Sequence, residues 1–176
     1  PGDNWARIEH FQTTEAEGRT IVEFRYYKEA EGDAYLPVAF VFDPAAAVGP
    51  KVYVYSDHHL VDDRASILDP VEGLHPWRDE DDILFRYFKA LSDNKIDTVL
   101  SYFAEDGYFQ HSNGGVHLGH GELREDFEKM LGQDGIRIKY CRVTDSGKTC
   151  VVEAYMPSGR PAIAVYERAA TVLQAV

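Results

Sequence analysis

The first third of the chain has the pattern of short β-strands. Tyr, Phe, Val and Ile dominate four segments, and glycine-containing turns separate these segments. Such runs, bounded by turn residues, are typical of strands that are neighbours both in sequence and in space. The predicted strands cover residues 5–12, 19–28, 34–43 and 51–56. We therefore expect an antiparallel meander at the start of the chain.

Apolar residues then change to a helical spacing. A first stripe runs from Ile83 to Leu91, and a second, shorter one runs from Ile96 to Phe103. Apolar positions that recur every three to four residues form one face of an amphipathic helix. A third helix is predicted at 122–131, after a short strand at 108–111 and a Gly/His-rich loop at 112–121.

The end of the chain returns to the strand pattern. Strands are predicted at 136–144, 149–156 and 162–168. The hairpin expected at 137–155 repeats the residue order of the hairpin at 7–26. This similarity indicates an internal repeat with a truncated first unit; the alternative is that any two hairpins look alike. We expect a meander domain at 1–65, a linker at 66–80 and a second domain at 81–176, cut from a tandem array at both ends.

Charge limits the classes of partner. The chain has 30 Asp and Glu against 18 Lys and Arg, a formal net charge of −12. Duplex nucleic acids and anionic membranes attract clustered basic residues, so neither is an expected partner. Two cysteines make no disulfide framework, and no apolar run is long enough to span a membrane. These features predict a cytoplasmic globular protein.

Three segments of the second domain carry a family resemblance. They are RYFKALSDNKID at 86–97, LSYFAEDG at 100–107 and GHGELREDF at 119–127. Together they resemble the SnoaL-like and ketosteroid-isomerase-like branch of the nuclear transport factor 2 superfamily. The resemblance implies an α+β fold in which a curved antiparallel sheet wraps around three helices to form a cone with an apolar pocket. It also implies isomerisation, cyclisation, dehydration, epoxide opening or simple ligand binding in that pocket.

The resemblance points to three catalytic candidates. His111 lies where the isomerase-like proteins place a general base, and imidazole accepts protons near neutral pH. Tyr87, 24 residues earlier, corresponds to a phenol that donates to a developing oxyanion. Glu167 corresponds, after a one-residue gap, to a protonated acid beside that phenol. The simpler interpretations are that His111 is a solvated histidine at a strand end and that Tyr87 is a core tyrosine.

Four further residues are predicted to bind the ligand: Glu153, Asn113, Phe103 and Phe127. Strand alternation alone leaves open whether Glu153 faces the pocket. His111, His117 and His120 fall in one segment, but their spacing matches no familiar ligand pattern. We therefore predict no metal and no cofactor.

The sequence thus predicts a metal-free acid–base enzyme that acts on a small apolar substrate. The alternative is a non-catalytic ligand-binding or dimerisation module of the same fold. In either case the apolar face of the meander at 1–65 must be buried against another surface. We expect a homodimer or an intramolecular pseudo-dimer formed through the sheets.

Overall fold

A computed structural model of the chain describes residues 5–28, 35–44, 51–54, 82–111, 115–133, 135–136, 141–155, 161–168 and 173–175. Its elements fall into two compact units, one with four strands and one with three helices and six strands. No helix of the described residues is long and apolar enough to cross a membrane.

The first unit is one antiparallel meander. Its strands are β1 (Trp5–Ala16), β2 (Arg19–Lys28), β3 (Tyr35–Phe42) and β4 (Lys51–Val54), hydrogen-bonded in chain order. The sequence predicted all four, but β1 runs four residues further than expected. It continues until Glu17 and Gly18, both with positive φ, form the tight turn into β2.

The second unit contains three helices: α1 (Ile83–Ser92), α2 (Ile96–Leu100) and α3 (Gly119–Leu131). The Asp82 carboxylate accepts a hydrogen bond of 2.7 Å from the Leu84 N–H and so caps α1. Asn94, with a φ of 55°, turns the chain from α1 into α2.

The six strands of this unit form a single sheet. They are β5 (Phe103–Gln110), β6 (Val116–Leu118), β7 (Cys141–Asp145), β8 (Thr149–Tyr155), β9 (Pro161–Arg168) and β10 (Leu173–Ala175). Their order is β6-β5-β10-β9-β8-β7, and every pair is antiparallel except β10 with β5. The expected α+β class with an antiparallel sheet is confirmed.

One face of this sheet packs on the helices. The core joins helix residues such as Leu84, Leu123 and Leu131 to strand residues Cys150, Val152, Ala154 and Tyr166. Side chains alternate along a strand, so Val151 and Glu153 lie on the opposite face, where both are also buried.

Two boundary predictions are wrong. Phe103 was expected to belong to the second helix, but that helix stops at Leu100 and β5 begins at Phe103. The three-residue spacing from Leu100 to Phe103 is helical, but pairing with Leu173 of β10 places Phe103 in a strand. The expected loop at 112–121 contains β6 and the first turn of α3. The linker predicted at 66–80 lies outside the described residues, and the domain boundaries stay predictions.

Candidate functional site

Two histidines and an aspartate meet beside the β5–β6 hairpin. One ligating atom from each of His111, His117 and Asp126 lies within 4.8 Å of the other two. His117 Nε2 lies 3.4 Å from Asp126 Oδ1. Asp126 is buried, whereas His111 and His117 are half-buried. The arrangement brings two groups that can carry a proton next to one carboxylate.

Strand register explains why these side chains converge. His117 in β6 pairs directly with Phe109 in β5, so both point to the same face of the sheet. His111 follows Phe109 by two residues, and its N–H donates to the Gly115 carbonyl at 2.8 Å, which extends the hairpin ladder. Phe109 packs edge-on against Phe127 of α3, at 5.6 Å between ring centroids. The hairpin therefore directs both imidazoles towards the helix that carries Asp126.

A connected group of aromatic rings continues from this point into the core. Phe127 contacts Phe103, and Phe103 contacts Tyr87, each at 5.8 Å between centroids. Tyr87 also meets Phe88 and Tyr166 at 5.1 and 5.7 Å. We call Tyr87, Phe88, Phe103, Phe109, Phe127 and Tyr166 the aromatic cluster. Tyr87, Phe103, Phe127 and Tyr166 are at most 2% exposed, so the cluster is a packed apolar wall in the core of the second unit.

The Tyr87 hydroxyl lies inside this wall. Tyr87 is 1% exposed, and a side-chain hydrogen bond joins it to Tyr166. Burial raises the pKa of Tyr87 well above its ordinary value of 10.0, and the bond to Tyr166 offsets part of that rise. The phenol therefore stays protonated, and its polar end has a partner within the core.

Glu167 and Glu153 lie on the other face of the sheet. Glu167 pairs with Thr149, and Glu153 pairs with Ile163. Cys150 and Tyr166 pair with each other and face the helices. Glu167 is one residue from Tyr166, and Glu153 is three residues from Cys150. Because side chains alternate along a strand, both glutamates face away from the helices. The residue that meets Tyr87 is thus Tyr166, one position before Glu167. The question that alternation left open for Glu153 is also answered, because its face is the one away from the helices.

The remaining predicted residues divide into two groups. Phe103 and Phe127 are both buried and in contact within the aromatic cluster. Asn113 lies outside the described residues. His120, weighed as a possible metal ligand, instead donates from Nε2 to the Phe103 carbonyl at 3.1 Å. The structure thus joins Tyr87, Phe103 and Phe127 in one cluster and His111 with His117 in another.

Sequence reasoning missed Asp126 and Tyr166. Asp126 lies three residues after Leu123 and four before Met130, so the helical period places it on the inward face of α3. An acid at an inward position is costly unless it has a partner, which makes it a recognisable signal. Tyr166 was hidden by the one-residue gap used to align Glu167.

A separate groove of about 510 Å³ lies where α2 meets the end of α3. Its lining is largely polar and includes Lys95, Asp97, Thr98 and Glu128. It shares no residue with the aromatic cluster or with the His111, His117 and Asp126 group. Its chemistry does not match an apolar substrate.

Residues 84–174, just over half of the chain, match the SnoaL-like domain. Comparison with curated proteins finds no significant match. The match covers all three helices and most of the six-stranded sheet.

Solved structures show a general similarity to 53% of the chain. A candidate polyketide cyclase from Sinorhizobium meliloti is 19% identical over 89% of its own chain, with a TM-score of 0.46. An NTF2-like protein of unknown function from Cytophaga hutchinsonii is 16% identical over 82%, with a TM-score of 0.44. An LEH-like epoxide hydrolase from M. tuberculosis is 17% identical over 75%, with a TM-score of 0.43. At this level of similarity, none of these proteins indicates a substrate or reaction for the chain.

Proposed function

The chain belongs to the SnoaL-like domain family, and we propose that it is an acid–base enzyme acting on a small apolar substrate. The reaction is of the isomerase, cyclase, dehydratase or epoxide hydrolase type and uses side chains without a metal. The observation that carries this proposal is the convergence of His111, His117 and Asp126 within 4.8 Å at the edge of an aromatic cluster.

In this proposal His111 is the base. It is half-buried at the end of β5, so a substrate can reach its ring. A neutral imidazole accepts a proton without a metal or a cofactor. The nearby Asp126 carboxylate balances the positive charge that His111 then gains, because opposite charges attract strongly where water is scarce.

His117 is the proposed acid. It lies 3.4 Å from Asp126, longer than an ordinary hydrogen bond, and such contacts commonly tighten when a substrate binds. A carboxylate beside an imidazole holds the ring in one orientation, as in other His–Asp pairs. His117 can then return a proton to the substrate or donate to an oxygen that becomes negative.

Phe109 gives the proposed site its preference for apolar molecules, because it is half-buried and pairs with His117. The buried ring of Phe127 supports Phe109 from the core side. Tyr87 keeps its hydroxyl bonded to Tyr166, so we assign it to the wall and leave oxyanion stabilisation to His117. Glu167, on the other face of the sheet, has no part in this proposal.

Two probe reactions test the proposal. Deuterium exchange at the α-carbons of cyclohexanone reports base catalysis on a carbonyl, and hydrolysis of styrene oxide reports acid–base opening of an epoxide. We expect the wild-type chain to accelerate at least one of them. His111→Ala and Asp126→Asn should each slow that reaction by about 10²–10⁴-fold, the usual contribution of a positioned acid or base.

His10→Ala is the matched control, since it removes an exposed imidazole whose measured partner is Thr13 in β1. It should leave the rate unchanged. Wild-type rates in the His111→Ala variant would contradict the proposal. Saturable binding of cyclohexanone without exchange would favour the alternative, a ligand-binding module.

A further inference from the structure

We propose that His111, His117 and Asp126 also form a binding site for a divalent transition metal of the zinc type. The inference shares its residues with the proposed function but not its chemistry. A metal would occupy the lone pairs that otherwise accept protons. The metal-loaded chain is therefore an inhibited state of the proposed enzyme.

The donor set fits such an ion. Two imidazole nitrogens and one carboxylate oxygen suit Zn²⁺ and its neighbours in the first transition row. Mg²⁺ and Ca²⁺ prefer sites made wholly of oxygen atoms, so this set disfavours them. Three protein ligands also leave a fourth position open to water.

The measured distances fit as well. Zinc lies about 2.0–2.2 Å from nitrogen and oxygen ligands, so two ligands at a tetrahedral angle are about 3.4 Å apart. His117 Nε2 and Asp126 Oδ1 are separated by 3.4 Å, longer than an ordinary hydrogen bond. The remaining ligand atom, on His111, lies within 4.8 Å of both. Its separation from each therefore exceeds the 3.4 Å of two zinc ligands by at most about 1.4 Å, a change that rotation of this half-buried side chain can supply.

The burial of Asp126 and the orientation of the two imidazoles favour metal binding. Asp126 is 7% exposed, so its negative charge is poorly screened by water. Asp126 belongs to α3, which packs into the core through Leu123 and Phe127, and the carboxylate is thereby held in place. The two imidazoles belong to a hairpin whose register already turns them to the same face.

Metal titration of the full, tag-free chain tests the inference. After treatment with a chelator and its removal, Zn²⁺ is added in a calorimeter and Co²⁺ in a spectrophotometer. We expect one equivalent of either ion to bind and Co²⁺ to give visible bands of a four-coordinate site. His117→Ala and Asp126→Asn should each weaken binding at least tenfold, and His10→Ala should not.

Circular dichroism shows whether each variant is folded. If His117→Ala unfolds, the isosteric variant Asp126→Asn still tests the inference. No saturable binding by the wild type would overturn the inference, as would equal affinities for all variants. Neither result touches the proposed function, which is measured in chelator-containing buffer. If both ideas hold, added Zn²⁺ abolishes turnover and excess chelator restores it.

Discussion

Asp126 is the residue on which the proposed chemistry depends. It is a buried acid on the inward face of an amphipathic helix, next to Phe127 in sequence and to His117 in space. A buried carboxylate costs free energy unless charge or hydrogen bonds compensate it. The imidazole of His117, 3.4 Å away, provides part of that compensation.

Tyr87 and Tyr166 form the second important pair of polar side chains. Tyr87→Phe removes a buried hydrogen bond to Tyr166, so we expect a loss of about 0.5–1.5 kcal/mol in the free energy of unfolding. The double variant, with Tyr166→Phe added, should lose less than the sum of the two single losses. Urea denaturation of the four proteins measures this coupling. If the two single losses add up in the double variant, the two hydroxyls are not coupled by a hydrogen bond.

Tyr87 also predicts a dependence of stability on alkaline pH. Its pKa is raised by burial above the ordinary 10.0, so the unfolded chain releases this proton at a lower pH than the folded chain does. Its stabilising contribution is complete below pH 10 and is lost as the pH rises further. Urea midpoints between about pH 8 and pH 11 measure the decline. Tyr87→Phe should flatten it, whereas Tyr102→Phe, at a half-buried position, should follow the wild type.

At the scale of elements, the connection that follows α3 depends on a glycine. Gly135 has a φ of 66°, and a Cβ atom there would lie 2.5 Å from the Leu91 carbonyl oxygen and 2.8 Å from that of Ser92. Gly147 has a φ of 83° but open space around it. A side chain at either position carries the left-handed penalty of about 1–2 kcal/mol. The clash with backbone at the end of α1 applies to Gly135 alone.

We therefore expect Gly135→Ala to destabilise the chain by about 1–3 kcal/mol more than Gly147→Ala does, the usual cost of overpacking. Urea denaturation of both variants measures the difference. Equal losses would show that the chain around Gly135 relaxes freely, contrary to the close approach seen in the structure.

The start of α1 provides a second test at this scale. One Asp82 oxygen caps the helix, and the other lies 3.4 Å from Arg168 of β9. Asp82→Ala should cost about 0.5–2 kcal/mol, the usual value of an N-cap. Asp82→Asn keeps the cap acceptor and should lose less. If thermal or urea denaturation shows equal losses, the charge near Arg168 matters more than the cap.

At the scale of the molecule, the sequence predicted the classes and order of most elements. Strong periodicity identified α1, and clusters of β-branched and aromatic residues identified both meanders, which the sheets display in the same chain order. β6 was missed because three residues flanked by glycines carry too little pattern. Phe103 was assigned to a helix because it follows Leu100 by three residues, a helical spacing, and the pattern does not show that the helix ends at Leu100.

The site was harder to predict because it depends on pairing between distant segments. His111 could be identified from its position in the chain, but its neighbours depend on the register of β6 against β5 and on the rotation of α3. Glu167 and its neighbour Tyr166 face opposite sides of the sheet, because successive strand residues alternate. A one-residue error in alignment therefore assigned Glu167 to the position that Tyr166 occupies beside Tyr87. Oligomeric state, the pseudo-dimer and the cytoplasmic location stay predictions.

The account depends most on proton transfer by the His111, His117 and Asp126 group. Its most direct test is the pair of rates for deuterium exchange into cyclohexanone and for styrene oxide hydrolysis, in chelator-containing buffer, for the wild type, His111→Ala and His10→Ala. The account predicts that the wild type and His10→Ala catalyse at least one of these reactions, with a loss of about 10²–10⁴-fold in His111→Ala. Equal rates for all three proteins in both reactions would contradict it.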